Sequence, residues 1–125
     1  MLKTVIVDDH EFFRKTLRDY LLGIDRVIVA GEAGNGREAV ELVKNLLPQL
    51  VLMDIRMPEL DGIKAGEIIK QIMPETIVIL YTAYDTEICG REGVTLANRC
   101  LPKDRLFDEI PSIIEKLKEK EVEVK

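Results

Sequence analysis

The sequence is poor in the residues that form most nitrogen and sulphur metal centres, with one histidine and two cysteines among 125 residues. Cys89 and Cys100 do not have the spacing of metal ligands, and His10 has no second histidine as a partner. We therefore expect no metal centre built on cysteine or histidine. We also expect both thiols to be reduced and structural, which favours a cytoplasmic location.

The sequence also lacks an excess of positive charge and long apolar runs. It has 18 Lys and Arg residues against 23 Asp and Glu residues, a net charge of −5, without a separate basic block. Direct nucleic-acid binding by this domain is therefore not expected. No apolar run is long enough to span a bilayer, and Asp8 interrupts the N-terminal stretch, which is too short for a signal peptide. We expect a soluble protein without a membrane segment.

The length of the chain fits one domain with a single core, and no second folding unit fits beside it. There is no internal repeat, low-complexity tract or Gly/Ser linker. The charged tail at 119–125 is interpreted as either a helix end or the start of a linker. The sequence therefore predicts a single domain over residues 1–125.

Short apolar runs rich in Val and Ile alternate with segments of helical period. The runs lack the strict alternation that would leave one face of a strand in water, so both faces should be covered. This pattern predicts an α/β fold with a parallel sheet, right-handed crossovers and helices on both faces. The predicted strands are Lys3–Val7, Arg26–Ala30, Leu50–Met53, Ile77–Tyr81 and, more weakly, Arg99–Leu101.

Several helix boundaries can be predicted from local signals. Asn35 is a plausible N-cap for the second helix, and the third helix covers roughly Ile63–Ile72 and stops before Pro74. If Asp108 caps the last helix, Pro111 falls in its first turn, where a missing N–H costs nothing. Between Thr86 and Asn98, glycines and β-branched residues dilute the helical pattern, which predicts a short or irregular fourth helix.

Five reactive side chains follow or end the predicted strands. Because the carboxyl ends of parallel strands meet at one edge of the sheet, we expect these side chains to converge there. Three carboxylates without a histidine or thiolate form an all-oxygen donor set, which suits Mg²⁺, and the lysine and hydroxyl could contact a phosphoryl group. The residues are Asp8, Asp9, Asp54, Thr82 and Lys103.

Two enzyme classes are alternatives to a phosphoryl-accepting site. The segment Gly34–Ala39 fits the G-x-G-x-x-[GA] dinucleotide pattern, with Asp54 at about the expected distance, so a dinucleotide-binding α/β enzyme fragment is one alternative. The pattern follows the second strand rather than the first and leaves the other acids unexplained. A phosphatase with an aspartyl intermediate would need a D-x-D pair, but Arg56 stands two residues after Asp54.

Five blocks of sequence surround the residues at this edge of the sheet. They are DDHEFFR at 8–14, GEAGNGREAVEL at 31–42, DIRMPELDG at 54–62, YTA at 81–83 and LPKD at 101–104. In this order they resemble the receiver domain of two-component response regulators over nearly the whole chain. The resemblance implies a flavodoxin-like sheet of order 2-1-3-4-5, a response-regulator function and a cytoplasmic protein that is not itself an enzyme acting on a separate substrate.

The resemblance also implies roles for individual residues. Asp54 would accept a phosphoryl group from the phosphohistidine of a sensor histidine kinase or phosphotransfer protein. Asp8 and Asp9 would hold Mg²⁺ with Asp54, and the backbone carbonyl of Arg56 would complete the protein ligands of the metal. Residues Thr82 and Lys103 would contact the phosphoryl oxygens. A homodimer could form through the face of the fourth helix, fifth strand and fifth helix.

The chain departs from the usual receiver pattern near Lys103. Cys100 stands where receivers usually carry the Tyr or Phe of their switch, and Asp104 stands where a proline in a cis peptide is common. A lysine followed by Asp is familiar in receivers joined to helix-turn-helix domains. A stand-alone receiver and the N-terminal part of a DNA-binding transcriptional regulator both remain open. Pro102 predicts that the fifth strand is a short edge strand.

Overall fold

The computed structural model describes residues 1–83, 87, 89 and 97–123. Five parallel strands form one sheet of order β2-β1-β3-β4-β5. The predicted fold class and strand order are confirmed. The strands are β1 (Leu2–Val7), β2 (Val27–Ala33), β3 (Leu50–Asp54), β4 (Ile77–Thr82) and β5 (Arg99–Pro102).

The three inner strands are buried on both faces, as the missing alternation predicts. All five residues of β3 are buried, and so are five of the six residues in β1 and in β4. The edge strand β5 has four residues and carries Pro102, which stands opposite Thr82 in the register. A proline is tolerated there because an edge strand leaves one row of N–H groups unpaired.

Helices cover both faces of the sheet. The described helices of four or more residues are α1 (Glu11–Leu22), α2 (Gly36–Leu46), α3 (Gly62–Ile72) and α4 (Leu106–Glu123). Apolar residues of α1 and α4 share one buried cluster with the sheet, and those of α2 and α3 share the other. The helix α4 is the one that the sequence predicts as the fifth. The predicted irregular fourth helix lies outside the described residues.

No described helix combines the length and the apolar character needed to cross a bilayer. The described peptide bonds contain no cis isomer, which agrees with Asp104 rather than proline after Lys103.

The start of α2 is confirmed in detail. The Asn35 side chain accepts a hydrogen bond from the backbone N–H of Glu38 at 2.9 Å and donates its amide to the Glu38 carboxylate at 3.0 Å. This reciprocal arrangement satisfies a backbone donor at the helix N-terminus that would otherwise have no intrahelical acceptor.

The predicted start of the last helix is wrong. A 3₁₀ turn at Lys103–Arg105 leads directly into α4 at Leu106, so Pro111 lies inside the helix rather than in its first turn. Proline cannot donate to the carbonyl four residues earlier, which belongs to Phe107. The Tyr20 hydroxyl of α1 donates to that carbonyl at 3.2 Å, and the Tyr20 and Phe107 rings meet edge to face. A donor from another helix therefore compensates for the proline.

We predict that Tyr20→Phe lowers the free energy of unfolding by about 1 kcal/mol, because it removes the donor to the Phe107 carbonyl. In a Pro111→Ala background the helix supplies its own N–H to that carbonyl, so the same substitution should cost less. Urea denaturation of the four proteins of this double-mutant cycle measures the difference. Equal costs of Tyr20→Phe in both backgrounds would contradict the compensation.

The expectation of two reduced thiols is wrong, because Cys89 and Cys100 form a disulfide across a sequence separation of 11. Their Cα atoms are 5.4 Å apart, within the range that a disulfide needs. Sequence spacing alone could not show this proximity. A cytoplasmic location can no longer be argued from free thiols.

We predict that the purified protein resists alkylation by iodoacetamide until it is reduced, and then takes up two adducts, as intact mass spectrometry would record. Reduction should lower the free energy of unfolding by up to about 3 kcal/mol, because it releases the loop constraint on the unfolded chain. The Cys89→Ser, Cys100→Ser double variant is the matched control and should not respond to reductant. Two adducts without reduction would count against the disulfide.

Candidate functional site

Two buried carboxylates lie side by side at the carboxyl edge of the sheet. Asp8 directly follows β1 and is fully buried, and Asp54 ends β3 and is 4% exposed. The two strands are neighbours, and the last residue of β1 stands opposite the residue before Asp54. The strand register therefore brings these two carboxylates together.

Four side chains at this edge present possible metal ligands. The ligand atoms of Asp8, Asp9, His10 and Asp54 all lie within 4.8 Å of one another. His10 Nδ1 lies 3.1 Å from Asp8 Oδ1, 3.2 Å from Asp9 Oδ1 and 4.0 Å from Asp54 Oδ2. The donor set predicted from the sequence does not include His10, which lies among the possible ligands here. Its signal in the sequence was its position directly after the two aspartates.

Four groups contact Asp8, three at its buried carboxylate and one at its backbone carbonyl. Its Oδ2 accepts a hydrogen bond from the Tyr81 hydroxyl at 2.7 Å and lies 3.5 Å from Lys103 Nζ. Its Oδ1 accepts the backbone N–H of His10 at 2.8 Å, and its carbonyl accepts the guanidinium of Arg14 at 2.6 Å. Hydrogen bonds to the charged form stabilise a carboxylate that burial would otherwise neutralise.

Tyr81 is a site residue that the sequence did not reveal, because an aromatic side chain in an apolar strand is usually a core residue. Burial and the charge of Asp8 raise the pKa of the Tyr81 phenol well above its ordinary value. The phenol therefore stays protonated and remains a donor to Asp8. Tyr81 thus contributes both to the core and to the orientation of Asp8.

Lys103 reaches the site from the turn that follows β5. Its Nζ lies 4.0 Å from the centre of the Phe13 ring and 5.7 Å from that of Tyr81, and these two rings are in contact. A cation over an aromatic face is stabilised by the ring quadrupole. The aromatic pair therefore helps to hold the ammonium group beside Asp8.

The two other predicted site residues, Arg56 and Thr82, make fewer described contacts within the site. The Arg56 backbone N–H donates to Asp54 Oδ1 at 3.3 Å. Thr82 ends β4, and its hydroxyl is buried without a hydrogen-bond partner among the described residues. The described contacts therefore bring Asp8, Asp9, Asp54 and Lys103 together but do not link the Thr82 hydroxyl to them.

A cavity of about 290 Å³ opens beside Asp54. Its lining includes the charged side chains of Lys103 and Arg56 and the aromatic ring of Phe12, which is 82% exposed. A small anion could therefore approach Asp54 between two cationic side chains, which favours chemistry on an anionic group.

The surroundings of Asp54 disfavour the ionised form of its carboxyl group in the absence of a cation. Burial, followed by the charge of Asp8, raises its pKa from 3.8 to about 6, although Lys103 and the Arg56 N–H partly oppose this shift. A bound divalent cation would reverse the effect by favouring the ionised form. The donor set, with three carboxylates around one point, fits such a hard cation.

Two glycines allow the loop after Asp54 to pack closely against neighbouring main chain. A Cβ atom on Gly62 would lie 2.2 Å from the Asp54 carbonyl oxygen, and one on Gly36 would lie 2.2 Å from the Leu60 carbonyl oxygen. The Gly36 N–H donates to that same Leu60 carbonyl at 2.9 Å. The Gly34–Ala39 pattern thus contributes to loop packing and to the Asn35 cap, which does not favour the dinucleotide-binding alternative.

A family model described as the response regulator receiver domain matches residues 4–115. The chain belongs to this family. The receiver domain is 43% identical over 86 residues to the uncharacterized transcriptional regulatory protein YhcZ of Bacillus subtilis, covering 69% of this chain and 40% of that protein. It is 44% identical over 78 residues to protein-glutamate methylesterase/protein-glutamine glutaminase 2 of Photobacterium profundum, covering 62% of this chain and 20% of that protein.

The solved structures give the same result for the fold. The signal receiver domain of the response regulator NarL from Mycobacterium tuberculosis matches with a TM-score of 0.83 and 32% identity, covering 93% of this chain and 94% of that one. The present receiver domain therefore functions in two-component signal transduction, and the enzyme-fragment alternative is not favoured. It spans less than half the length of the two curated relatives named above.

We predict that the metal-free receiver loses stability as the pH rises from about 4 to above 6. The folded state holds the Asp54 proton up to about pH 6, whereas the unfolded chain releases it near pH 4, so this contribution is complete below pH 4 and lost above pH 6. The loss should be at most about 3 kcal/mol. Urea unfolding in EDTA across this pH range measures it.

Asp54→Asn is the matched control, because it keeps the shape of the side chain and removes its titration. The unfolding free energy of the wild type relative to that of Asp54→Asn should fall as the pH rises over this interval. A constant difference from pH 4 to pH 7.5 would contradict the prediction.

Proposed function

We propose that Asp54 is the phosphoacceptor of this receiver domain and that it takes its phosphoryl group from the phosphohistidine of a sensor histidine kinase or phosphotransfer protein. The observation that carries the proposal is the burial of Asp54 beside Asp8, with a raised pKa and a lysine within the same site. Burial and the charge of Asp8 disfavour the ionised form of Asp54, so a bound cation would stabilise that form, which is the nucleophile that phosphoryl transfer requires.

Asp8, Asp9 and Asp54 would hold Mg²⁺, with the Arg56 backbone carbonyl as a further ligand. The ion, when bound, neutralises negative charge on the carboxylates and on the phosphoryl oxygens. The donor chemistry of three carboxylates around one point supports this assignment.

The residues of the chain perform the remaining parts of the transfer. A carboxylate oxygen of Asp54 forms a bond to phosphorus while the bond from phosphorus to the donor nitrogen breaks, and the electron pair leaves with that nitrogen. The ammonium group of Lys103 and the hydroxyl of Thr82 contact the phosphoryl oxygens. Phosphoryl transfer depends on positioning and charge neutralisation, so no separate general base is required.

Residues 1–125 would form one receiver domain, which catalyses only its own phosphorylation and dephosphorylation in the cytoplasm. The tail at 119–125 would belong to the end of α4 or to a linker. The names of similar proteins, which include a transcriptional regulator, support an output in gene regulation, either through a following domain or through a docked partner. A homodimer through the predicted fourth helix, β5 and α4 would be one way to transmit the signal.

We predict that acetyl phosphate with Mg²⁺ adds one phosphoryl group to the wild type and none to Asp54→Asn, because Asp54 lines the cavity beside Lys103 and Arg56 whereas the equally buried Asp8 does not. Lys103→Ala should slow the incorporation on the order of 100-fold, since it removes a charged donor from the transfer. Intact mass spectrometry over time measures both effects.

Asp19→Asn is the matched control, because Asp19 is an exposed carboxylate of α1 that pairs with Lys15 at 3.5 Å, outside the proposed site. It should incorporate phosphate at the wild-type rate. Equal incorporation by wild type and Asp54→Asn would contradict the proposed phosphoacceptor.

A further inference from the structure

The His10 imidazole is directed toward the carboxylate cluster rather than toward its own helix. His10 occupies the N-cap position of α1, but its side chain makes no capping hydrogen bond. Its Nδ1 lies 3.1 Å from Asp8 Oδ1 and 3.2 Å from Asp9 Oδ1, while more than half of the side chain remains exposed. The ring is therefore held by the cluster and not by packing.

We propose that His10 Nδ1 is an additional protein ligand of the metal site and shifts its preference from Mg²⁺ toward Co²⁺ and similar first-row transition ions. This inference rests on the proposed function, because it concerns the same site. It extends that proposal by assigning a ligand and a metal preference to a residue outside the carboxylate set.

The three distances from His10 Nδ1 to the carboxylate oxygens are compatible with ligands around one small ion. At bond lengths of about 2.1 Å, neighbouring octahedral ligands lie about 3.0 Å apart and opposite ligands about 4.2 Å apart. The two short distances from His10 Nδ1, to Asp8 and Asp9, correspond to neighbouring ligands. The separation of 4.0 Å from Asp54 Oδ2 is close to that of an opposite ligand.

The rest of the site fixes which oxygen of Asp8 is available beside the imidazole. Asp8 Oδ2 accepts a hydrogen bond from the Tyr81 hydroxyl and lies close to Lys103 Nζ, so it is not the oxygen that faces His10. Asp8 Oδ1 is the oxygen that His10 Nδ1 approaches. Because Tyr81 is fully buried, the orientation of Asp8 is set before any ion arrives.

A protonated imidazole that merely replaces the metal charge is the competing interpretation. A single proton on Nδ1 could serve the two carboxylate oxygens, at 3.1 and 3.2 Å, only through a bent, shared hydrogen bond, which is weaker than a linear one. A metal ion at that position can bind all of these donors at once. The two interpretations predict opposite effects of removing the imidazole, since a ligand adds affinity and a competing cation reduces it.

The chemistry of the ligand determines the metal preference. Carboxylates suit Mg²⁺, whereas an imidazole nitrogen adds affinity for transition ions and contributes little for Mg²⁺. The ratio of Co²⁺ to Mg²⁺ affinity is therefore the quantity that reports the contribution of His10.

The test is isothermal titration calorimetry of Mg²⁺ and Co²⁺ with the full chain at one fixed pH. The variant is His10→Asn, which can still cap a helix. We expect His10→Asn to lower Co²⁺ affinity at least about tenfold and to change Mg²⁺ affinity less than about threefold. The visible absorption spectrum of bound Co²⁺, which depends on its ligands, should also differ between the two proteins.

Glu11→Gln is the control for local charge, because Glu11 begins α1 directly after His10 and lies outside the ligand group. It should change both affinities by the same factor. Tighter binding of both ions by His10→Asn would show a competing cation and overturn the inference, as would an unchanged affinity ratio. Failure of the wild type to bind either ion would overturn the proposed metal site as well.

Discussion

The repulsion between the buried carboxylates of Asp8 and Asp54 is the constraint on which the rest of the site depends. Neighbouring strands of a parallel sheet place both groups at one edge, where burial and like charge disfavour ionisation. A phenol, a lysine and the backbone N–H of His10 contact the Asp8 carboxylate, and the guanidinium of Arg14 donates to the Asp8 backbone carbonyl. Asp54 has fewer such partners, so burial and the charge of Asp8 raise its pKa, and a bound cation would lower it again.

The difference between the surroundings of Asp8 and Asp54 follows from the fold. Asp8 is held by residues from three different elements, namely α1, β4 and the turn after β5, so its position depends on the whole sheet. Asp54 receives a donor from its own loop, through the Arg56 N–H. One carboxylate is thus oriented by several elements, while the other has a single described hydrogen-bond donor, which suits the proposed role of Asp54 as the phosphoacceptor.

The sequence predicted those features that follow from local pattern and from strand ends. Apolar runs located all five strands, and the Asn35 cap located α2, because periodicity and capping are short-range signals. The positions of Asp8 and Asp54 followed from the rule that parallel strands share an edge. The features that were missed depend on contacts between distant segments: the Tyr20 donor that permits Pro111 inside α4 and the Cys89 to Cys100 bond.

Two residues of the site were also missed from the sequence, because their roles depend on partners that the local pattern does not reveal. Tyr81 looked like a core residue because its hydroxyl partner, Asp8, lies 73 residues earlier, after another strand, and His10 looked isolated because its partners are aspartates rather than histidines. The loop after Asp54 carries one more consequence. Main-chain oxygens occupy the space that a methyl group would need at both Gly36 and Gly62, so hydrogen is the only side chain that these two positions admit without a backbone shift. A larger side chain at the start of either α2 or α3 would therefore displace the main chain of the segment between Asp54 and Leu60.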